Sequence, residues 1–566
     1  MMCTKVTLIC LTDEVYSIGP RRISSQLKRN AFEVQLIFLQ AKSFWGQIKE
    51  RFSSHYDESD LSESTYRELM SLCADSIVVG LSVWTHNADR AALITRRLQQ
   101  SLHCPIIWGG IHPTCFPLQS LETAEGICLG EGDISFLRLA EALRDGRDYR
   151  TTPGFWFRDG IGIIKNPAQP LVQDLDELPF MDFEYEDHFV NEGGTFRQMN
   201  LRLMKKYYGA KLEMMLSHGC PYKCTFCSND QLIELDQGYR KFRKHSVDFF
   251  LAELHYILAR YPHIYNLIID DDAFMFLPLK LIQEFAARYK KEFPNLPFFV
   301  SGIIPASITR EKFRVLMDAG MIKTRVGIQS GNRRIMREVF VRPLHEEKLV
   351  EGSEIAHENR KRLAPIQYDL IVDNPWEHPD ELKDTVRLVH RLRRPYTFAL
   401  NSLRLLPGTT IFHMGEQAGF TRPDQNIMPA SYEQFIPNML NLTLAFYNIT
   451  RAPEFWIRYI LKRDFGQRTV TMKRFPRIGF LISFAGMLKK SCHNLIRGDI
   501  SLWPRPLDQW CGRLFVGRTA SPCSSPTSIG SAYKHALPRR NQENARVVTP
   551  DIAQEHAAVG GSALQV

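Results

Sequence analysis

Three cysteines stand close together in Cys220-Pro221-Tyr222-Lys223-Cys224-Thr225-Phe226-Cys227, directly after the apolar run Met214-Met215-Leu216-Ser217-His218-Gly219. A strand that feeds straight into a ligand-bearing loop calls for a scaffold that presents strand ends, which is what open parallel sheets do. Thiolates are soft ligands, suited to an iron–sulfur cluster or to zinc. A structural zinc site closes its tetrahedron with a fourth Cys or His nearby. His218 is the conceivable fourth ligand, but it lies on the strand side of the loop and no second Cys-x2-Cys pair accompanies it. Three cysteines hold only three irons of a [4Fe–4S] cube and leave the fourth open to a small chelating ligand. The spacing favours the cluster.

The surrounding sequence supplies such a scaffold twice. Apolar runs at 212–217, 266–270, 298–302, 323–328, 366–372 and 398–406 alternate with helical patterns, as expected for a partial (β/α)6, TIM-like barrel over 205–415. Residues 1–150 show a second alternation, with strands expected at 5–11, 33–39, 76–83, 105–109 and 126–129. Helical patterns lie between them, which predicts an α/β domain with a doubly wound, Rossmann-like sheet. Ligands of such sheets bind outside the carboxyl ends of the strands. Those ends carry Ser82, Gly109-Gly110 and Gly130-Glu131-Gly132, although turn geometry alone would also account for the glycines. Residues 151–204, with Pro153, Pro167, Pro170 and Pro179, read as an extended linker. Residues 416–516 read as helical, with Trp456, Tyr459, Phe465 and Phe475 as packing anchors, and the Ser-, Pro- and Ala-rich stretch 517–566 as a disordered tail.

Composition narrows the function classes. At 566 residues the chain is too long for one core. Most of its 12 cysteines stand alone in apolar segments, unlike a secreted disulfide framework, so a reducing cytoplasmic setting is expected. The first residues lack the pattern of a signal peptide. No run reaches the ~18 apolar residues that span a bilayer. The nearest, 478–488, is flanked by Lys473, Arg474, Arg477, Lys489 and Lys490; it reads first as an ordinary buried helix and second as a segment on a membrane surface. The net charge of +9 is spread along the chain, so no nucleic-acid partner is expected.

The cysteine triplet resembles the signature of the radical S-adenosylmethionine (SAM) enzymes. In that family the open iron binds the amino and carboxylate groups of SAM, and an electron from the cluster cleaves it to methionine and a 5′-deoxyadenosyl radical. The resemblance implies Cys220, Cys224 and Cys227 as cluster ligands and Phe226 as the aromatic residue beside the adenine. Asp271 or Asp272, at the end of Ile268-Ile269-Asp270-Asp271-Asp272, falls where the family meets the methionine ammonium. Gly327-Ile328-Gln329-Ser330-Gly331 resembles the fourth strand, placing Gln329 and Ser330 at SAM. Gln329 stands where many relatives carry Glu, and it can hydrogen-bond a ribose hydroxyl without charge. Val372-Asp373-Asn374-Pro375-Trp376-Glu377 departs from the family's glycine-rich turn, because Asp373 and Trp376 replace small residues. Leu406-Pro407-Gly408-Thr409 matches the end of the sixth strand.

The first domain resembles the cobalamin-binding domain of one large radical SAM subclass, through Gly109-Gly110-Ile111-His112-Pro113-Thr114, Gly130-Glu131-Gly132-Asp133 and Asp174-Leu175-Asp176-Glu177-Leu178-Pro179-Phe180. In that architecture Ser82, Gly109 and Gly110 would line the groove for the nucleotide tail; the other reading is a vestigial or substrate-binding domain. Asp13-Glu14-Val15-Tyr16-Ser17-Ile18-Gly19 contains no histidine, so no lower axial ligand is expected from that loop. His112 is the nearest other histidine and reads as a hydrogen-bonding residue. The resemblance implies methyl transfer to an unactivated carbon of a small-molecule substrate, with a reductant such as flavodoxin or ferredoxin. It assigns no catalytic residue beyond the cluster ligands. Two alternatives stand beside it: radical chemistry ending in rearrangement, cyclisation or oxidation, and a non-catalytic iron–sulfur or zinc protein.

Overall fold

The computed structural model describes residues 4–11, 17–39, 61–420, 435–466 and 468–497. Residues 13–16, the 517–566 tail and, within the region expected to be helical, 421–434 and 498–516 lie outside them.

The first sheet is built on five parallel strands, β1 (Lys5–Cys10), β2 (Glu33–Phe38), β3 (Val78–Ser82), β4 (Ile106–Gly109) and β5 (Gly126–Cys128). Their runs are buried on both faces, as in β1, where Val6 to Cys10 are all buried. β1 pairs with both β2 and β3, so the strand order reverses there and opens the crevice of a doubly wound fold. The stretch expected to be a linker does more than link. It supplies the antiparallel pair β6 (Phe155–Asp159) and β7 (Gly162–Lys165) beside β5, and the pair β8 (His188–Glu192) and β9 (Thr195–Gln198) beside β2. The order is β7-β6-β5-β4-β3-β1-β2-β8-β9. Between the pairs, Phe180, Met181 and Phe183 are buried.

The second sheet begins with β10 (Lys211–Met214), which runs into the two-residue β11 (Ser217–His218); β11 pairs antiparallel with β12 (Arg243–Lys244). Five further strands are β13 (Asn266–Ile269), β14 (Phe298–Ile303), β15 (Met321–Gln329), β16 (Ile366–Val372) and β17 (Tyr396–Ser402). The order β10-β13-β14-β15-β16-β17 is parallel throughout and open, the partial barrel expected. Crossover helices cover it. The helix Val247–Arg260 starts on Ser246, whose hydroxyl accepts from Phe249 N at 3.0 Å, and buries Phe250, Leu254 and Ile257 along one stripe.

The helices Met439–Phe446, Glu454–Lys462 and Pro476–Arg497 follow the second sheet. Trp456 and Phe465 pack against the core, whereas Tyr459, expected as an anchor, is 44% exposed on the outer side of its helix.

Candidate functional site

The cysteine loop is held from several directions. Gly219 enters it at φ +105°, and a Cβ there would strike the Lys241 carbonyl, so the close approach of β11 to the 239–241 backbone requires glycine. Cys220 N donates to Tyr239 O at 3.1 Å, Thr225 Oγ1 donates to Val339 O at 2.5 Å, and Ile411 N donates to Thr225 O at 3.1 Å. Phe226 meets Phe340 edge-on at 5.0 Å. Tyr222 packs against Phe276.

All three thiols are free. Burial pushes them up, Cys220 to about 11 and Cys227 to about 12, so metal binding must displace their protons. Arg342 carries no signal of its own in the sequence. It is buried, donates to Gly327 O at 3.0 Å, hydrogen-bonds Cys224 and sets its charge against Cys220 and Cys224, favouring thiolates there. His218 turns instead to Glu131, with Nδ1 3.5 Å from Oε1, rather than completing a tetrahedron with the thiols. Among the described residues no group of three or more Cys, His, Asp or Glu gathers round one ion. A cube asks for something else, three thiolates each holding its own iron, and the donor set on this loop fits that.

The residues expected at SAM divide into two groups. Asp271 is 2% exposed and accepts from Leu216 N and Ser217 N at 2.8 Å each and from Ser217 Oγ at 2.5 Å. Both its oxygens are thus engaged in joining β13 to the strand that feeds the cysteines. Burial lifts its carboxyl to about 7 against those donors. Asp272 reaches the loop itself, accepting from Gly219 N at 3.0 Å and Asn229 Nδ2 at 3.1 Å, and its charge bears on Cys220 and Cys227. Gln329 ends β15 at φ +70°, partly exposed. Ser330, 1% exposed, donates to Glu377 Oε1 at 3.3 Å and sits in a buried polar knot with Thr385. Asp373 accepts from Ser402 Oγ at 2.5 Å, Ile436 N at 2.8 Å and Asn441 Nδ2 at 2.7 Å. The departure from a glycine-rich turn therefore serves to fasten the C-terminal helices.

At the reversal point of the first sheet lies a cavity of about 250 Å³. Ser82, Gly109 and Gly110 all line it, with Leu8 and Phe136 among its apolar walls. Gly110 has φ +102°, and a Cβ there would come within 2.9 Å of Val83 O; Gly130, at φ +71°, lies as close to Tyr239 Oη. Both glycines are thus required by the protein's own packing at the cavity, whereas a Cβ on Gly109 would meet only Cys128 Cβ, at 3.7 Å. The volume is below the ~300–1,000 Å³ of common ligand clefts, so the cavity by itself holds no more than part of a large ligand. Its far wall comes from the segment that leads into the cysteine loop and from the β11–β12 ladder, through Met215, His218 and His245. Glu131, also in the lining, takes a bidentate pair from Arg243, at 2.9 and 2.5 Å. His112 stacks on Phe116 at 4.6 Å in the core, and burial pulls it down to about 4.

A doubly wound domain and an open six-stranded parallel sheet meet where a three-cysteine loop borders a crevice. Residues 214–389 match the model of the radical SAM superfamily. An uncharacterised methyltransferase of Pyrococcus horikoshii is 23% identical over 330 residues, 57% of this chain and 66% of that protein. The chain thus spans just under two thirds of that relative. The fold as a whole is similar to the radical SAM methyltransferase TsrM of Kitasatospora setae, solved with cobalamin and a [4Fe–4S] cluster (TM-score 0.57, 18% identity, 75% of this chain and 76% of that one). It is also similar to the cobalamin-dependent SAM radical enzyme OxsB, solved with aqua-cobalamin and SAM (TM-score 0.58, 16% identity, 98% and 80%).

Proposed function

We propose that the protein is a radical SAM enzyme that transfers a methyl group, with the help of cobalamin, to an unactivated carbon of a small-molecule substrate. The observation that carries this reading is a continuity of chain: residues 214–220 lead into the first cysteine, and Met215 and His218 of that same stretch line the crevice of the first domain. Two cofactor stations placed back to back are what a reaction using both requires. The methyltransferase names borne by the Pyrococcus relative and by TsrM support methyl transfer.

In this reading Cys220, Cys224 and Cys227 hold the cluster, and Arg342 balances its charge. Asp272, nearest the open loop, meets the ammonium of SAM, with Gln329 at the ribose and Phe226 beside the adenine. Asp271 and Ser330 act behind them, fixing strand ends. Ser82, Gly109 and Gly110 bind the tail of the corrin cofactor, which supplies a transferable methyl group when bound. Electrons come from a reductant such as flavodoxin or ferredoxin.

Anaerobic reconstitution with iron, sulfide and hydroxocobalamin tests the proposal. Protein with SAM and dithionite should form 5′-deoxyadenosine, and Cys224→Ala should not. Cobalamin should stay with the protein through gel filtration and be lost from Gly109→Val, whose added side chain meets only Cys128 of the protein. Without 5′-deoxyadenosine the radical reading falls; without retained cobalamin the methyl-transfer reading falls, and rearrangement, cyclisation or oxidation takes its place.

A further inference from the structure

Among the described residues, the helix Pro476–Arg497 is covered on one side only between Ile478 and Leu488. Its inner stripe runs through Gly479, Ile482 and Gly486: a Cβ on Gly479 would meet Pro437 and Leu442, one on Gly486 would meet Asn448, and Ile482 packs on the core. The outer side carries Ile478, Phe480, Leu481, Phe484 and Leu488, each between 43% and 63% exposed. Phe480 and Phe484, one turn apart, stack in parallel with centroids 6.1 Å apart. On the helix Glu454–Lys462, Phe455 is 72% exposed. Half a helix of large apolar side chains in water is costly unless something covers it. The reading of this segment as an ordinary buried helix therefore does not hold for its outer face.

The charge of the segment says what the cover is. Residues 465–498 contain Arg468, Lys473, Arg474, Arg477, Lys489, Lys490 and Arg497 and no Asp or Glu. Lys473, Arg474 and Arg477 are exposed at the start of the helix. Exposed cations at the head of an apolar stripe complement an anionic, apolar-cored surface, whereas a second copy of this acid-free segment offers them no counter-charge. No helix among the described residues is long and apolar enough to cross a membrane. We propose that this face docks the protein, lying flat, on anionic lipid bilayers.

Flotation of the full-length protein with vesicles checks this. Protein should bind vesicles of equal phosphatidylglycerol and phosphatidylcholine, bind phosphatidylcholine alone at least tenfold more weakly, and be released by 0.5 M NaCl, where screening shortens the reach of the cations to a few Å (~10 Å at 0.1 M). Phe480→Asp with Leu481→Asp should reduce binding tenfold or more, and Lys473→Glu with Arg477→Glu should remove the preference for the anionic lipid. Both variants should keep the wild-type melting temperature, since the replaced side chains face outward. Failure to bind the anionic vesicles, or equal binding by the Asp variant, overturns the proposal. So does a wild-type dimer in light scattering that becomes monomeric in the Asp variant, because a second copy would then be the cover.

Discussion

Arg243 on β12 grips Glu131, in the turn after β5, through both terminal nitrogens, and so ties the ladder beside the cysteine loop to the carboxyl edge of the first sheet. The Arg243 side chain is 3% exposed and that of Glu131 24%. The pair closes the seam along which the crevice and the cluster loop meet.

Burial alone would raise the Glu131 carboxyl, but His218 and Arg243 outweigh it and bring it down to about 2, from an ordinary 4.5. A carboxyl lowered on folding stabilises the fold above its unfolded value and loses that contribution as pH falls through the folded one. Glu131→Gln should therefore cost about 2–4 kcal/mol at pH 7, where it leaves Arg243 buried without its counter-charge. The difference from wild type should shrink as pH falls from 4.5 towards 2. Urea unfolding across that range measures it.

Neighbouring aspartates should fail in different ways. Asp271→Asn turns an amide against the Leu216 and Ser217 donors, and should lower stability by about 2–4 kcal/mol, with cluster loss following from the displaced strand. Asp272→Asn should leave the melting temperature within a few degrees yet raise KM for SAM about tenfold or more, the size of one lost charge-assisted contact. Calorimetry and SAM-cleavage kinetics on the two variants separate the roles. If Asp271→Asn is the one that changes KM alone, the assignment is reversed.

The contrast between these two residues shows where local sequence stops informing. The cysteine loop was readable because its ligands lie within eight consecutive residues, and the parallel strands because burial on both faces makes them apolar runs. β16 fell on 366–372 as expected for that reason. The outer strands β6 to β9 are only four or five residues long, and β7 and β9 at the edges are largely exposed, so their composition is that of a loop between prolines. Which of two adjacent carboxylates faces inward depends on the pleat at the end of β13, and Arg342 reaches Cys224 across 118 positions of sequence, with no period to announce it. The outer face of Pro476–Arg497 follows the same rule: its apolarity was legible, but what covers it depends on elements that pack elsewhere.

Asp373 should behave as a clasp. Its partners Ile436 and Asn441 belong to the segment carrying the helix Met439–Phe446, and they lie 63 and 68 positions away. Asp373→Ala removes three accepted hydrogen bonds and leaves Asn441 Nδ2 with only the Ile436 carbonyl. Amide exchange over 439–446 should rise tenfold or more, while exchange in β10 to β15 stays unchanged. Equal acceleration in both regions would mean a general loss of stability and no clasp.

Glu377 should make stability fall as pH rises. It is 1% exposed, its Oε1 is met by Ser330 at 3.3 Å, and its Oε2 has no hydrogen-bond partner. Burial, reinforced by Glu381 and Asp373, lifts the carboxyl to about 8 despite the Ser330 contact. A carboxyl raised on folding contributes most below its unfolded value near 4.5, and that contribution drains away until the folded value is passed. Between pH 4.5 and 8 each unit should therefore cost up to about 1.4 kcal/mol. Glu377→Gln keeps the shape and the hydrogen-bonding edge of the neutral acid without the proton, so it should match wild type at pH 5 and exceed it at pH 8. Thermal melts at the two pH values decide: parallel shifts in wild type and variant would mean that Glu377 is already ionised in the fold, with its charge met by a group at the end of β16.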